Sequence, residues 1–410
     1  MERFIISSET VLPISSPPII KGSVFVDKGK IEDVGSTEEL LRKYRDIKRI
    51  DLGRGILLPG FINAHVHLEL GWITKKIKRS GGFGLWLGQV IKALREERTE
   101  EEIEASVRDG INELIESGVT TVGEISSFGL DRYPLKESGL RIVLFVELFD
   151  RHKDFWNLFG FEKNEVFEER PFPHAPYSCS PEFLKTVIDF SRKNHIPIGI
   201  HLAESRGEVK FIRGEKNVFE AKIFPMVGRE VFQRSKAPSP FGYLKALGFF
   251  NETKVTAVHM VHISKEEASE IPDYSIGVVM CPRSNLFLGV GLPPVLQYRG
   301  YERIGIGTDG LSSNLNLNIF EELRSFYLLF SKRLGQRASF LTVYLATLGG
   351  ARALFLEDRI GSIEKGKEAD LIFLKPRYTF SDPYLSVISS CKEDLKLVMV
   401  RGREIHSKPR

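Results

Sequence analysis

Short apolar segments alternate with amphipathic segments through the middle of the chain. The apolar segments are rich in Val, Ile, Leu and Phe, as strands buried on both faces are. The predicted strands cover residues 61–67, 120–124, 142–148, 172–177, 197–201, 254–259, 275–280 and 303–309. The predicted helices include residues 101–116, 181–193 and 318–329. Strands alternating with helices in this way predict a parallel sheet, and residues 59–355 are long enough for a closed (β/α)8 barrel.

Both ends of the chain show a different pattern, in which short strands are separated by turns. Strands are predicted at residues 3–6, 23–26, 30–34, 48–52, 370–374 and 395–400. Gly29 and Gly53 supply turn positions between them. Neither end has enough apolar surface to form a good core alone. We therefore expect residues 1–58 and 356–410 to pack together as one composite β module.

Composition narrows the class of protein. Of the 410 residues, 42% are hydrophobic and 27% are charged, which is typical of a globular chain. The net charge of +4 is small and spread along the chain, so a nucleic-acid partner is not indicated. No apolar run approaches the length of a membrane span or a signal peptide. The three cysteines, Cys179, Cys281 and Cys391, are far apart and fit a reduced cytoplasm. The sequence is compatible with a homo-oligomer but does not give the oligomeric state.

Polar residues stand at the ends of the predicted barrel strands, where barrel enzymes carry their chemistry. His65 and His67 are two residues apart at the end of an apolar strand, so both side chains point to the same face and can reach one metal ion. The other strand ends carry Glu124, Glu147, His174, His201, His259 and Asp309. Any one of them could be a satisfied polar group at a strand terminus. Their joint occurrence favours a metal site.

Three imidazoles and a carboxylate suit Zn²⁺, Fe²⁺ or Mn²⁺ with room for a water. The candidate ligands are His65, His67, His201 and Asp309. Such a cation lowers the pKa of a bound water to about 7. Glu204 follows the fifth strand and is the candidate general acid and base, and Asp309 can also accept a proton. His259 is either a fifth ligand or, as we expect, a group that orients the water. The segment 171–178 contains no lysine that could bridge two metals, so one metal is expected.

These motifs resemble the amidohydrolase superfamily, in its mononuclear deaminase and chlorohydrolase branch. The motifs lie at residues 59–69, 173–178, 201–205, 259–262, 281–286 and 307–314. The resemblance implies a distorted TIM barrel, a small β-sandwich formed from both chain ends, one divalent metal, most readily zinc, and hydrolytic loss of ammonia from an aromatic ring. It also implies that Glu204 moves protons, that His259 contacts the hydrolytic water, and that His174 touches the sugar or ring of a nucleoside.

Within this branch, segments such as 83–88 and 201–208 most resemble the aminodeoxyfutalosine deaminases. That resemblance implies conversion of 6-amino-6-deoxyfutalosine to futalosine in menaquinone biosynthesis. The alternative is a deaminase of adenosine, S-adenosylhomocysteine or methylthioadenosine, although those enzymes carry an arginine where this chain has Val146 and Glu147. Glu96 could take their ribose-binding role. Hydrolysis of a C–Cl or amide bond, and a metal-binding barrel without catalysis, are further alternatives.

Candidate substrate contacts follow from the expected nucleoside. Trp86 is either a pocket wall or part of the core, and Glu69 and Glu147 could bind ribose hydroxyls or pair with basic neighbours. The carboxylate on the futalosine tail requires a cation, ideally an arginine that binds it through two hydrogen bonds. Arg206, directly after the motif at 201–205, and Arg283, after the seventh strand, are the nearest candidates.

Overall fold

The computed structural model describes residues 3–78, 81–152, 154–160, 162–232, 234 and 236–409. Its strands are β1 (Phe4–Val11), β2 (Ile19–Asp27), β3 (Lys30–Ser36), β4 (Lys48–Asp51), β5 (Ile56–Pro59), β6 (Phe61–Val66), β7 (Val119–Ser126), β8 (Arg141–Leu148), β9 (Phe167–Pro173), β10 (Ile198–Leu202), β11 (Val255–His259), β12 (Ile276–Met280), β13 (Ile304–Ile306), β14 (Leu371–Leu374), β15 (Leu395–Val400) and β16 (Arg403–Ser407).

The α-helices lie mainly between the strands of the middle region. They are α1 (Thr37–Lys43), α2 (Phe83–Ala93), α3 (Glu100–Glu116), α4 (Arg132–Glu137), α5 (Pro181–Asn194), α6 (Arg206–Arg213), α7 (Phe224–Met226), α8 (Pro240–Ala246), α9 (Lys265–Glu270), α10 (Pro282–Leu288), α11 (Ile319–Leu334), α12 (Ala338–Leu345), α13 (Leu348–Ala353) and α14 (Pro383–Ser389). Shorter 3₁₀ or π turns occur at Leu68–Lys76, Phe155–Leu158, Phe219–Ile223, Ile271–Asp273 and Gly335–Arg337.

The parallel strands of the middle region form two four-stranded sheets, in the orders β6-β7-β8-β9 and β10-β11-β12-β13. Single backbone contacts connect the two sheets at both edges. The N–H of His201 in β10 donates to the carbonyl of His174, just past β9, at 3.0 Å. The N–H of Asp309, past β13, donates to the carbonyl of His65 in β6 at 3.1 Å. The result is a TIM-barrel-like α/β fold, and no continuous barrel ladder joins the strands of the described chain.

The edge between β13 and β6 depends on one glycine. A Cβ atom on Gly307 would lie 2.7 Å from the carbonyl oxygen of His65 and 2.8 Å from its Cβ. Only a residue without a side chain permits this approach of the two backbones. Gly307 therefore brings Asp309 close to the histidine strand.

The two chain ends meet in one mixed eight-stranded sheet. Its order is β16-β15-β14-β5-β1-β2-β3, with β4 beside β1. The antiparallel pair of β5 and β14 joins the amino-terminal part to the carboxy-terminal part. The buried Arg141 of β8 donates through Nε to Asp370, which precedes β14, at 2.9 Å. Strands from both chain ends share this sheet, but a two-layer sandwich is not confirmed, and a composite module divided from the barrel at residues 58 and 356 stays a prediction.

Several predicted elements differ from the structure. The fourth barrel strand covers residues 167–173 rather than 172–177, because the polar Arg170 within it is buried and donates to the carbonyl of Leu354 at 2.7 Å. His174 consequently follows the strand. The last barrel strand is shorter than predicted, and β5 and β16 were not predicted. Helix α11 extends five residues beyond the predicted end, from 329 to Leu334.

None of the helices in the described part of the chain combines the length and the apolar composition that crossing a bilayer requires.

Candidate active site

Three imidazoles and a carboxylate converge at the carboxyl ends of the parallel strands. His65 lies in β6, His67 directly follows it, His201 lies in β10, and Asp309 follows β13. All four side chains are buried. The Nε2 atoms of His67 and His201 are 3.4 Å apart. Oδ1 of Asp309 lies 3.7 Å from Nε2 of His65 and 3.7 Å from Nε2 of His67.

The arrangement fits a divalent cation. Both ring nitrogens of His65 and Nδ1 of His67 are buried without a hydrogen-bond partner among the residues that the structure describes. Buried polar atoms of this kind are uncommon because leaving them unpaired costs free energy. One ligand atom from each of His65, His67 and Asp309 lies within 4.8 Å of the others, and the same holds for His65, His201 and His259. His259 is thus close enough to be a further ligand.

Burial favours the neutral imidazoles of His67, His201 and His259, which is the state that binds a metal. Desolvation lowers the pKa of His67 to about 3 and that of His259 to about 4. Desolvation also lowers the pKa of His201 well below its ordinary value. Nδ1 of His201 lies 3.0 Å from the carbonyl of His174, and since a carbonyl only accepts, Nδ1 carries the proton and Nε2 presents its lone pair. Desolvation opposes ionisation of Asp309, but its contacts with the histidines hold its pKa well below the usual range.

An acid and a base face each other beside this cluster. Oε1 of Glu204 lies 3.6 Å from Nε2 of His259, and both side chains are buried. Desolvation and the nearby Asp309 raise the pKa of Glu204 well above its ordinary value, which favours the protonated carboxyl. Glu208 fixes the backbone here, because its carboxylate accepts the N–H groups of Ala203 and Glu204, both at 2.9 Å.

Two positioning contacts come from residues to which the sequence motifs assigned no role. Oγ of Ser284 donates to Oδ2 of Asp309 at 2.6 Å, and Oδ1 of Asn285 lies 3.1 Å from Nδ1 of His259. Both residues belong to the motif at 281–286 and lie at the start of α10. His259 and Asp309 have positive φ angles of 76° and 58°, which are uncommon for non-glycine residues. The motif indicated the segment, but not which residue supports which.

A cavity of about 780 Å³ opens above the cluster. Three predicted substrate contacts line it: His174, Trp86 and Glu147. The indole Nε1 of Trp86 donates to the carbonyl of Ser312 at 2.7 Å. Oε2 of Glu147 accepts from Oγ of Ser127 at 2.7 Å, and its Oε1 lies 3.8 Å from Nε2 of His174. Trp86 is therefore a pocket wall with a fixed ring, while Glu147 and His174 form a polar pair within reach of a ligand.

The two predicted arginines lie elsewhere, which corrects their assignment to the substrate tail. Arg206 begins α6 and lines a separate cavity together with His262. Arg283 donates to Oδ1 of Asn316 at 2.9 Å and lies 3.6 Å from buried Glu322. Both arginines are close to site motifs along the chain. Each belongs to a helix that follows a strand end, α6 or α10, and the helix directs its side chain away from the histidine cavity.

Two glutamates considered for ribose binding also have other partners. The fully buried Glu69 accepts the backbone N–H groups of residues 127, 128, 130 and 131 at 2.6 to 3.2 Å, so both of its oxygens hold a loop in place. Glu96 forms an ion pair with Lys76 at 2.8 Å. Neither carboxylate lines the histidine cavity.

Comparison with known proteins gives the family. The sequence profile of the amidohydrolase family matches residues 56–405, and the chain belongs to this family. The aminodeoxyfutalosine deaminase of a Nitratiruptor species is 32% identical over 93% of this chain and 94% of its own length. The 5-methylthioadenosine/S-adenosylhomocysteine deaminase of Moorella thermoacetica is 31% identical over 98% of this chain and 94% of its own.

Solved structures of deaminases also superpose on this chain. The aminofutalosine deaminase of Helicobacter pylori, in complex with methylthio-coformycin, superposes with a TM-score of 0.87 at 26% identity, covering 98% of this chain and 99% of its own. An adenosine deaminase from Xanthomonas campestris with bound zinc gives a TM-score of 0.81 at 25% identity, covering 98% and 92%. The chain is a hydrolytic deaminase, and its relatives indicate an adenine nucleoside as the substrate class.

Proposed function

We propose that the chain removes the 6-amino group of 6-amino-6-deoxyfutalosine, giving futalosine for menaquinone biosynthesis. The observation that carries the reaction type is the buried pair of Glu204 and His259 directly beside the cluster of three imidazoles and Asp309. Relatives and structural neighbours that carry the aminodeoxyfutalosine or aminofutalosine deaminase name support the substrate.

The proposed cation is zinc, held by His65, His67, His201 and Asp309, while Fe²⁺ and Mn²⁺ suit the same donors. The zinc-bound structural neighbour supports this choice. When bound, the cation supplies a water that is activated at neutral pH. A neutral His201 with Nε2 free and an ionised Asp309 are the protonation states that metal binding requires.

The side chains of this chain divide the proton transfers between them. Protonated Glu204 donates to N1 of the purine while the water oxygen bonds to C6, and Asp309 accepts a proton from the attacking water. His259 uses Nδ1–H for Asn285, so its Nε2 is an acceptor that orients the water. Asp309 then passes its proton to the amino nitrogen, ammonia leaves C6, and the C6 hydroxyl returns its proton to Glu204, so that the ring becomes that of an inosine-type nucleoside. One water is consumed for each ammonia released.

The sugar is assigned to the polar pair of Glu147 and His174. Both line the cavity next to the cluster, and Ser127 holds the Glu147 carboxylate through its hydroxyl. Ribose hydroxyls are donors and acceptors, which match a carboxylate and an imidazole. Trp86, fixed by Ser312, supplies an apolar face in the same cavity.

Methylthioadenosine or S-adenosylhomocysteine is the second candidate substrate, because the relative from Moorella thermoacetica is named for them at 31% identity. The test is ammonia release by the metal-replete protein from aminodeoxyfutalosine, methylthioadenosine, S-adenosylhomocysteine, adenosine and guanine. We expect kcat/KM for aminodeoxyfutalosine to exceed the others by at least about 100-fold, ~2.7 kcal/mol of discrimination in the transition state.

A preference for either thionucleoside would replace the proposed substrate by the second candidate. Absence of ammonia from all five compounds would contradict nucleoside deamination, and the C–Cl and amide alternatives would then be tested. Self-association of the chain and a cytoplasmic location stay predictions.

A further inference from the structure

The outer wall of the histidine cavity carries positive charge. The arginines that line it are Arg95, Arg98, Arg151 and Arg229. Arg229 is ion-paired with Asp150 and donates to the carbonyl of Ser178. The other three form no direct ion pair in the part of the chain that the structure describes, and their hydrogen bonds go to backbone carbonyls or a histidine. Glu147 is the carboxylate near Arg151: desolvation raises its pKa to about 7, and the charge of Arg151 acts in the opposite direction.

Acidic side chains do not cancel this charge. Of the carboxylates lining the cavity, Glu204 and Asp309 belong to the inner cluster and Asp150 is paired with Arg229. Glu147 is bonded to Ser127. The exposed Glu230 is the remaining acid of the described lining. The outer wall therefore carries a net positive charge.

Arg151 occupies a defined layer of this wall. Its guanidinium carbon lies 5.1 Å from the ring centroid of Phe149. Phe149 stacks on His174, with centroids 5.1 Å apart and planes at 24°. His174 meets His201 edge-on at 4.9 Å. The order outward from the metal donors is thus His201, His174, Phe149 and Arg151.

We propose that Arg151 is a specificity-determining residue that binds an anionic group on the 5′ substituent of the nucleoside. This inference rests on the proposed function. With C6 of the purine at Glu204 and the ribose beside His174, the 5′ position leads outward past Phe149 to Arg151. A guanidinium binds a carboxylate through two hydrogen bonds, and the Phe149 ring offers an apolar face to the linker. A neutral methyl or methylthio group gains nothing from this cation.

The test uses two adenosine 5′-thioethers that differ only in charge, one ending in a benzoate and the other in the matching benzamide. We expect the wild-type protein to prefer the benzoate by at least about tenfold in kcat/KM, the effect of a charge-assisted hydrogen bond of ~1.5 kcal/mol. The preference should lie mainly in KM, because the tail is remote from C6. It should decline as salt is raised to about 0.5 M, since the pair is exposed.

R151Q should bring the benzoate-to-benzamide ratio close to one, and R151K should restore part of it. R206Q is the matched control, because Arg206 is also exposed but lines the other cavity, and it should keep the wild-type ratio. If R98Q rather than R151Q abolishes the ratio, the assignment to Arg151 is overturned.

The two proposals fail in different ways. Equal kcat/KM values for both thioethers in the wild-type protein would overturn the anionic-tail inference while leaving nucleoside deamination intact. Absence of ammonia from both thioethers and from aminodeoxyfutalosine itself would overturn the proposed function and, with it, the role of Arg151.

Discussion

The hydroxyl of Ser284 donates a 2.6 Å hydrogen bond to Oδ2 of Asp309, while Oδ1 of the same carboxylate faces His65 and His67 at 3.7 Å. Ser284 thus holds Oδ2, and Oδ1 faces the histidines where the cation would bind. The N–H of Gly310 also donates to Oδ1, at 2.8 Å. The orientation of the carboxylate is fixed from two sides before any metal binds.

Ser284→Ala should therefore weaken metal binding rather than the fold. Loss of the hydroxyl frees Asp309 to rotate, and supporting contacts of this kind change metal affinity or activity by about 10- to 100-fold. The measurement is zinc affinity by competition with a chelator. Ser191→Ala is the control, because it also removes a buried serine hydroxyl, but one that donates to the backbone carbonyl of Ile196 and not to a metal ligand. It should leave the zinc affinity unchanged. Equal affinities in wild type and Ser284→Ala would contradict the positioning role.

Glu204→Gln should separate catalysis from metal binding. The amide cannot deliver a proton to N1, so ammonia release should fall by at least about 100-fold, while metal content stays at about one ion per chain. Glu230→Gln is the control, because it alters an exposed carboxylate of the same cavity outside the cluster. Normal turnover by Glu204→Gln would exclude it as the proton donor.

His65→Ala and Asp309→Ala should lose the metal itself. Both residues contribute ligand atoms to the buried cluster, and removing one of four donors lowers the affinity of a tetrahedral site. Metal content per chain, measured by atomic emission after dialysis, is the readout. About one ion per chain retained in both variants would show that the ligand set is wrong.

The metal-free protein should lose stability as the pH falls. Burial lowers the pKa of His174 to about 3 in the folded chain, against about 6.5 when unfolded. Between these values the unfolded chain binds the extra proton, so the free energy of unfolding declines with falling pH, by up to ~1.4 kcal/mol per pH unit for this residue.

Urea unfolding of the metal-free wild type and of His174→Asn at pH 6, 5 and 4 measures whether the free energy of unfolding declines with falling pH as predicted. The variant should show a shallower decline, since one desolvated neutral imidazole is gone. His195→Asn, at the exposed end of α5, should decline as steeply as the wild type. Parallel curves for wild type and His174→Asn would contradict the prediction.

Gly307→Ala should damage both stability and the site. The added Cβ would lie 2.7 Å from the His65 carbonyl, and the two backbones must separate, at a cost of about 1 to 3 kcal/mol. Asp309, two residues after Gly307, would move with the displaced backbone, so metal content should fall too. Gly88→Ala in α2 is the control, since its Cβ meets nothing nearer than 3.8 Å, and it should raise the melting temperature slightly. If Gly307→Ala kept the melting temperature and the metal content of the wild type, the close approach of residue 307 to the His65 backbone would be excluded.

Much of the site could be predicted because it lies at strand ends. His65 and His67 follow from the two-residue period of a strand, and His201 and Asp309 follow from the rule that parallel strands end at one edge. The fourth strand was misplaced, because Glu168, Glu169 and Arg170 indicate a loop in the sequence. Glu169 pairs with Arg132, and Arg170 donates to the carbonyl of Leu354; both partners come close only in the folded chain.

The sequence alone determined the order of strands and helices, the donor types at the strand ends and the family motifs. These are local properties, set by residue identity and by spacing along the chain. Only the tertiary structure decided which arginine faces the cavity, because Arg206 and Arg151 each lie close to a strand end in the sequence and differ only in the direction their segments take. It also decided that Glu69 holds a loop, since its four donors lie about sixty residues away. Such contacts depend on how distant segments pack, which no local pattern encodes.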